Sequence, residues 1–161
     1  MRAALLALAV ALGACAPRTP APGPGAPQTA EDRVVGTVRV TGSLPVDVQV
    51  NVQEPGGRFV RVTGPLAAEV RRLSGAVVEV WGRPAAGGAI EAAGYEVRSV
   101  DGAPVVMGMV ERAAEGGFQL RRRDGSVVRL TGATSQLRVG QKVWVQGAST
   151  VQVQSYGVIT P

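Results

Sequence analysis

The sequence predicts an all-β protein with a minor helical part, organised as two tandem five-stranded Greek-key barrels. Three observations carry that expectation. Short runs alternate valine with polar residues, as in Val48-Gln49-Val50-Asn51-Val52-Gln53, which is the period of a strand with one buried face. Glycine-bearing segments punctuate the runs. Four runs then recur in order along the chain. Val35-Gly36-Thr37-Val38 matches Met107-Gly108-Met109-Val110, and Phe59-Val60-Arg61-Val62-Thr63-Gly64 matches Val127-Val128-Arg129-Leu130-Thr131-Gly132. Val78-Glu79-Val80-Trp81-Gly82 matches Val143-Trp144-Val145-Gln146-Gly147, and Tyr95-Glu96-Val97 matches Tyr156-Gly157-Val158. The offsets shrink from 72 to 68, 65 and 61, as expected of a duplication whose second copy has shorter connections.

In the first copy, Val48, Val50 and Val52 face one way, and Val60 and Val62 on the next strand must face the same way. The faces agree only if Glu54 pairs with Arg58 around a three-residue loop, Pro55-Gly56-Gly57. In the second copy, Phe118 and Leu120 face in with Val128 and Leu130, so Arg122 pairs with Ser126 around Arg123-Asp124-Gly125. Each loop then wants glycine at its third position, as in a type I turn with a G1 bulge. Between strands three and four, Pro65 suits the first turn of a helix, Leu66, Val70 and Leu73 form one face, and Gly75 ends it. The second copy keeps only residues 134–140 there. Three strands, a helix or short turn and two more strands resemble the OB fold, a small Greek-key barrel plugged at one end. The second copy is also similar to small barrel repeats of unknown function in exported bacterial proteins. A β-sandwich is the rival architecture, but copies of this length are short for it.

The N-terminus carries a different signal. Arg2 precedes an apolar run over residues 3–12, and Leu12-Gly13-Ala14-Cys15 follows. The run is too short to span a membrane as a helix and has the order of a secretory leader. It resembles a bacterial lipoprotein signal peptide with a lipobox. That resemblance implies cleavage before Cys15, lipidation of its sulfur, export, and attachment to the cell envelope. Ala16 after the cysteine leans towards the periplasmic face of the outer membrane if the source is Gram-negative. Residues 16–30, rich in proline, glycine and alanine, cannot bury enough surface to offset ordering and read as a spacer. The expected organisation is therefore a signal over 1–14, lipidated cysteine and linker over 15–32, a first barrel over 33–102 and a second over 103–161.

Of 161 residues, 17 are Lys or Arg, 12 are Asp or Glu and none is His. Without histidine there is no imidazole base, no His metal ligand and no Ser-His-Asp triad. The single cysteine, Cys15, is assigned to lipid, and no phosphate-binding glycine loop of the Walker type occurs. The expectation is a protein that is not an enzyme and uses no cofactor and no metal. Charge is uneven: residues 31–102 carry 8 basic and 9 acidic residues and residues 103–161 carry 7 and 3.

OB barrels bind on the outer face of strands two and three. In the second copy that face is expected to show Gln119, Arg121, Val127 and Arg129, and in the first Gln49, Asn51, Phe59 and Arg61. Arg121-Arg122-Arg123 is the densest charge run. Arg121, Arg123 and Arg129, with Gln119 and Lys142 at the margin, are the candidate contacts for a polyanion. The bland alternative is a solvated hairpin tip whose charges blunt a strand edge. Trp81 and Trp144 point away from their barrel cores. Together with Phe59 and Val127 they are expected to form a seam between the barrels, the alternative being a docking platform for a partner. Two functions compete. One is a non-catalytic, membrane-tethered binding or scaffold module with an unknown envelope partner. The other is an OB protein binding nucleic acid or another polyanion. An exported location and a chain with only six aromatic residues count against nucleic acid, which prefers stacking platforms.

Overall fold

The computed structural model describes residues 31–42, 47–147 and 151–160. The lipobox, Cys15 and residues 16–30 lie outside the described residues, while Asp32, expected at the end of the linker, is already the first residue of a strand.

Five strands make the first barrel: β1 (Asp32–Thr41), β2 (Gln49–Gln53), β3 (Phe59–Thr63), β4 (Val77–Ala85) and β5 (Ala89–Val100), with helix α1 (Ala67–Arg71) between β3 and β4. β1 pairs antiparallel with β2 and β4, β2 with β3, and β4 with β5, while a parallel β3–β5 pairing closes the ring in the order 1-2-3-5-4-1. The second barrel repeats this with β7 (Val106–Arg112), β8 (Phe118–Arg121), β9 (Val127–Gly132), β10 (Lys142–Gln146), β11 (Val151–Val153) and β12 (Ser155–Thr160). There β11 pairs parallel with β9, and β12 continues the same strand line against β10. Between the barrels, the two-residue strand β6 (Ala103–Pro104) folds back on β5.

The duplication is literal at the level of register. Gly36 lies opposite Val78 and Gly108 opposite Val143. Val80 lies opposite Tyr95 and Val145 opposite Tyr156. Both hairpins adopt the registers that the inward faces demand. The Glu54 N–H donates to the Arg58 carbonyl at 2.8 Å, and the Arg122 N–H donates to the Ser126 carbonyl at 2.8 Å. Gly57 and Gly125 take φ of 84° and 80°, the left-handed region that a residue with a Cβ adopts only at a cost.

Each barrel has its own core. Val38, Val52, Val78, Val80 and Val97 fill the first, and Val110, Leu120, Leu130, Val143 and Val145 the second. The plugs differ as expected. Val70 and Leu73 from the α1 region close the first barrel, whereas a turn carrying the buried Leu137 closes the second. One latch is common to both. Gly75 donates to the Val38 carbonyl, and Gly140 to the Val110 carbonyl, at 3.0 and 2.9 Å.

The boundary expected after residue 102 falls in the turn of the β5–β6 hairpin. There Asp101 and Gly102 both have positive φ, 49° and 78°, as a two-residue type I′ loop requires. β6 therefore extends the first barrel's sheet by two residues before the second barrel begins at β7.

Candidate functional site

The two barrels meet along a seam that their shared register explains. On the outer face of the first barrel, Glu79 of β4 accepts from Arg33 of β1 at 2.8 Å and from Arg98 of β5. The corresponding positions of the second barrel hold Val105, Trp144 and Ile159. Where the first barrel carries an ion triad, the second carries an apolar one. Those three residues pack against the core of the first barrel, and Ile159 is 1% exposed. The seam thus uses the second barrel's apolar outer face, while the equivalent face of the first stays neutralised by its own ion pairs. Arg98 and then Arg33 hold the Glu79 carboxyl below the usual carboxylate range, against an opposing push from burial.

Polar contacts frame this apolar patch. The Arg72 guanidinium donates to the Ile159 carbonyl at 2.6 Å. Glu69 of α1 accepts from Lys142 of β10 at 2.8 Å and from the Tyr95 hydroxyl at 2.5 Å, and the Lys142 ammonium sits 4.1 Å from the Tyr95 ring centroid. Burial raises the Glu69 carboxyl, but hydrogen bonds from Lys142 and Tyr95 outweigh it, so the net shift is downward. Burial, and then the bond to Glu69, push the Tyr95 phenol well up. Lys142 is thereby tied into the seam and mostly covered.

Both tryptophans lie on outer faces, as the alternation predicts, and each ring rests on a glycine across the strand pair. A Cβ at Gly94 would lie 2.3 Å from the Trp81 ring, and one at Gly157 would lie 2.4 Å from Trp144. The Arg123 guanidinium stacks 3.9 Å from the Trp81 ring centroid, a cation–π contact across the seam. Phe59 and Val127 take no part in that seam: they remain 55% and 51% exposed. The seam expected to bury them therefore forms without them. They point outward as the alternation requires, but on sides of the closed barrels turned away from the neighbour.

The predicted arginine centre is divided. Arg121 donates to Glu111 at 2.6 Å, and Gln119 donates to the same carboxylate at 3.2 Å. Those bonds, Arg121's first, hold Glu111 below its ordinary value. Arg129 pairs with Glu115 at 2.6 Å. Arg123 turns to Trp81 and Lys142 to Glu69. Arg121, Arg123 and Lys142 do converge, around a cleft of about 200 Å³ between the barrels. Arg129 and Gln119 lie outside it. The cleft also holds residues that sequence reasoning did not single out: Arg122 on its wall, Met107 and Met109 on its floor, and Tyr95 and Glu96 from the first barrel. Their signal was present in the duplication, because Met107 and Met109 flank the repeated Gly108. Among the described residues, no group of three or more carboxylates, cysteines or histidines is placed to hold a metal, and no helix is long and apolar enough to cross a membrane. Comparison with known proteins gives no matching family model, no similar curated protein and no similar solved structure.

Proposed function

We propose that this chain is a non-catalytic binding or scaffold module of the bacterial cell envelope, held to a membrane through lipid on Cys15. The observation that carries the non-catalytic part is how the ionisable groups are engaged. Glu69, Glu79 and Glu111 are each occupied by a cation of the same chain, and Arg123 by an indole. An acid–base catalyst needs a group poised to exchange a proton with substrate, and these carboxyls are held low by structural partners. The lipobox supplies the tether, and residues 16–30 supply reach from the membrane surface.

The test has two parts. Cells fed labelled fatty acid should incorporate it into the wild type and not into Cys15→Ser, and Cys15→Ser should appear in the soluble fraction. Crosslinking in intact cells should then recover an envelope component with the wild type. A wild type that takes up no label overturns the tether.

A second reading, polyanion binding on the β8–β9 face, is favoured by one observation. The Arg129–Glu115 pair is largely solvent-exposed, and such pairs are weak enough for a polymer phosphate or sulfate to displace the carboxylate. Titration with heparin, anionic vesicles and single-stranded DNA at several salt concentrations tests it. Binding that weakens with salt, and that Arg121→Ala and Arg129→Ala reduce, supports this reading. No binding at low salt removes it.

A further inference from the structure

The cleft between the barrels has a twin. In the first barrel a concavity of about 310 Å³ sits beside Gly36, at the place where the second barrel has its cleft beside Gly108. The two glycines have one cause. A Cβ at Gly36 would lie 2.1 Å from the Gln53 carbonyl oxygen, and one at Gly108 would lie 2.6 Å from that of Arg121. The strand therefore approaches its neighbour closely there and leaves a notch on its outer side. Pseudo-symmetry makes the notch a product of the fold, so the difference between its two linings is informative.

That difference is one-directional. Gln53, Glu54 and Pro55 at the first hairpin correspond to Arg121, Arg122 and Arg123 at the second. Val77 corresponds to Lys142, and Val35 and Thr37 to Met107 and Met109. The only charged group of the first lining is one carboxylate, Glu54, whereas the second barrel's own residues supply four cations over two thioethers, against the single carboxylate of Glu96 that the first barrel adds. Docking to the first barrel accounts for part of this change, since Lys142 meets Glu69 and Arg123 meets Trp81. Arg121 is held by Glu111 of its own barrel. Arg122 is different: among the described residues its guanidinium approaches carboxylate oxygens only at 3.8 Å (Glu96) and 3.7 Å (Asp124), beyond hydrogen-bonding distance. It walls the cleft with its fork of donors facing loose partners. The floor is soft, because methionine side chains reshape around irregular apolar guests. Tyr95, its ring covered by Lys142, and Glu96 border it from the first barrel.

We infer that this cleft binds a small amphipathic monoanion, its acyl chain on Met107 and Met109 and its carboxylate on Arg122. The volume has room for a molecule of roughly half a dozen to ten heavy atoms, which sets the class as short-chain carboxylates. A planar guanidinium takes a carboxylate through two parallel bonds, and Glu96 and Asp124 are too far away to compete at hydrogen-bond range. This site shares Arg121 with the exposed β8–β9 face but uses Arg122 in place of Arg129, and it is independent of the membrane tether.

Two of the chain's three methionines, Met107 and Met109, line the cleft and the third, Met1, lies in the leader, so methyl-labelled methionine reports on the cleft. The full chain carrying Cys15→Ser is titrated separately with hexanoate, hexan-1-ol and acetate. Hexanoate is expected to move the Met107 and Met109 methyl resonances saturably. Hexanol, lacking the charge, and acetate, lacking the chain, should each bind about tenfold more weakly or worse. Arg122→Ala should weaken hexanoate about tenfold and leave hexanol unchanged. Met109→Glu, at a half-exposed position that leaves the core intact, should abolish hexanoate binding. Failure of hexanoate to saturate, equal binding of hexanol and hexanoate, or indifference to both substitutions each overturns the inference.

Discussion

Glu79 and Trp144 occupy the same position in the two barrels, and the contrast shows how single residues set the assembly. Both sit on the outer face of strand four, where flanking strands crowd the side chain. In the first barrel the crowding is met by charge: Glu79 is 8% exposed and accepts from two guanidinium groups. Replacing it with glutamine leaves Arg33 and Arg98 without their anion. Because both arginines are more than half exposed, water takes over part of the interaction. The expected loss is about 1 kcal/mol, read as a lower urea midpoint. Gly108 is the other decisive position. Gly108→Ala puts a methyl 2.6 Å from the Arg121 carbonyl oxygen, so β7 must move off β8. We expect a loss of about 1–3 kcal/mol, whereas alanine at Gly87, which has nothing within 4 Å, carries only the strain of its positive φ. A urea series on the two variants separates steric from conformational cost.

At the scale of elements, the barrels differ most where the chain was shortened. The first is plugged by a helix that contributes Val70, with Leu73 close behind. The second has a turn in which the Leu137 N–H donates to the Thr134 carbonyl at 3.0 Å, and the buried Leu137 fills the opening. Leu137→Ala should cost about 2–5 kcal/mol. Val70→Ala should cost less, because Leu73 remains. Hydrogen exchange confined to β7–β12 would locate the loss in the second barrel. Much at this scale was legible in the sequence. The inward valines admit only one register at each hairpin, and a helix face with a stop glycine needs no tertiary information. The β5–β6 hairpin was not legible. Asp101-Gly102 is a strong turn signal, but Pro104 argues against a following strand, and only an edge position tolerates it.

The whole molecule is held by a seam that the alternation could locate only in part. A period of two states whether a residue points into or out of its barrel, and it correctly placed Trp81 and Trp144 outside. It cannot state which side of a closed barrel meets a neighbour, and so Phe59 and Val127 were misassigned. The apolar triad of Val105, Trp144 and Ile159 became legible only once register aligned it with Arg33, Glu79 and Arg98. The cleft was hidden for a similar reason, since Arg122 lies at the hairpin mouth, where in-and-out alternation ends. The polar rim of the seam gives a pH test. The folded state lowers the Glu69 carboxyl below its ordinary value near 4.5. Its contribution is therefore complete above that value and is lost as pH falls through it towards the lower folded value. Glu69→Gln removes the same contribution at every pH. The wild type should exceed Glu69→Gln by about 1–2 kcal/mol at pH 7, because the Glu69–Lys142 pair is mostly covered by the two barrels. The two urea curves should converge as pH falls below the folded value, other carboxyls cancelling in the comparison. A gap that persists in acid, or none at neutral pH, would show that the Glu69–Lys142–Tyr95 contact does not hold the barrels together. The seam would then rest on the apolar triad of Val105, Trp144 and Ile159 with the Arg72–Ile159 and Arg123–Trp81 contacts.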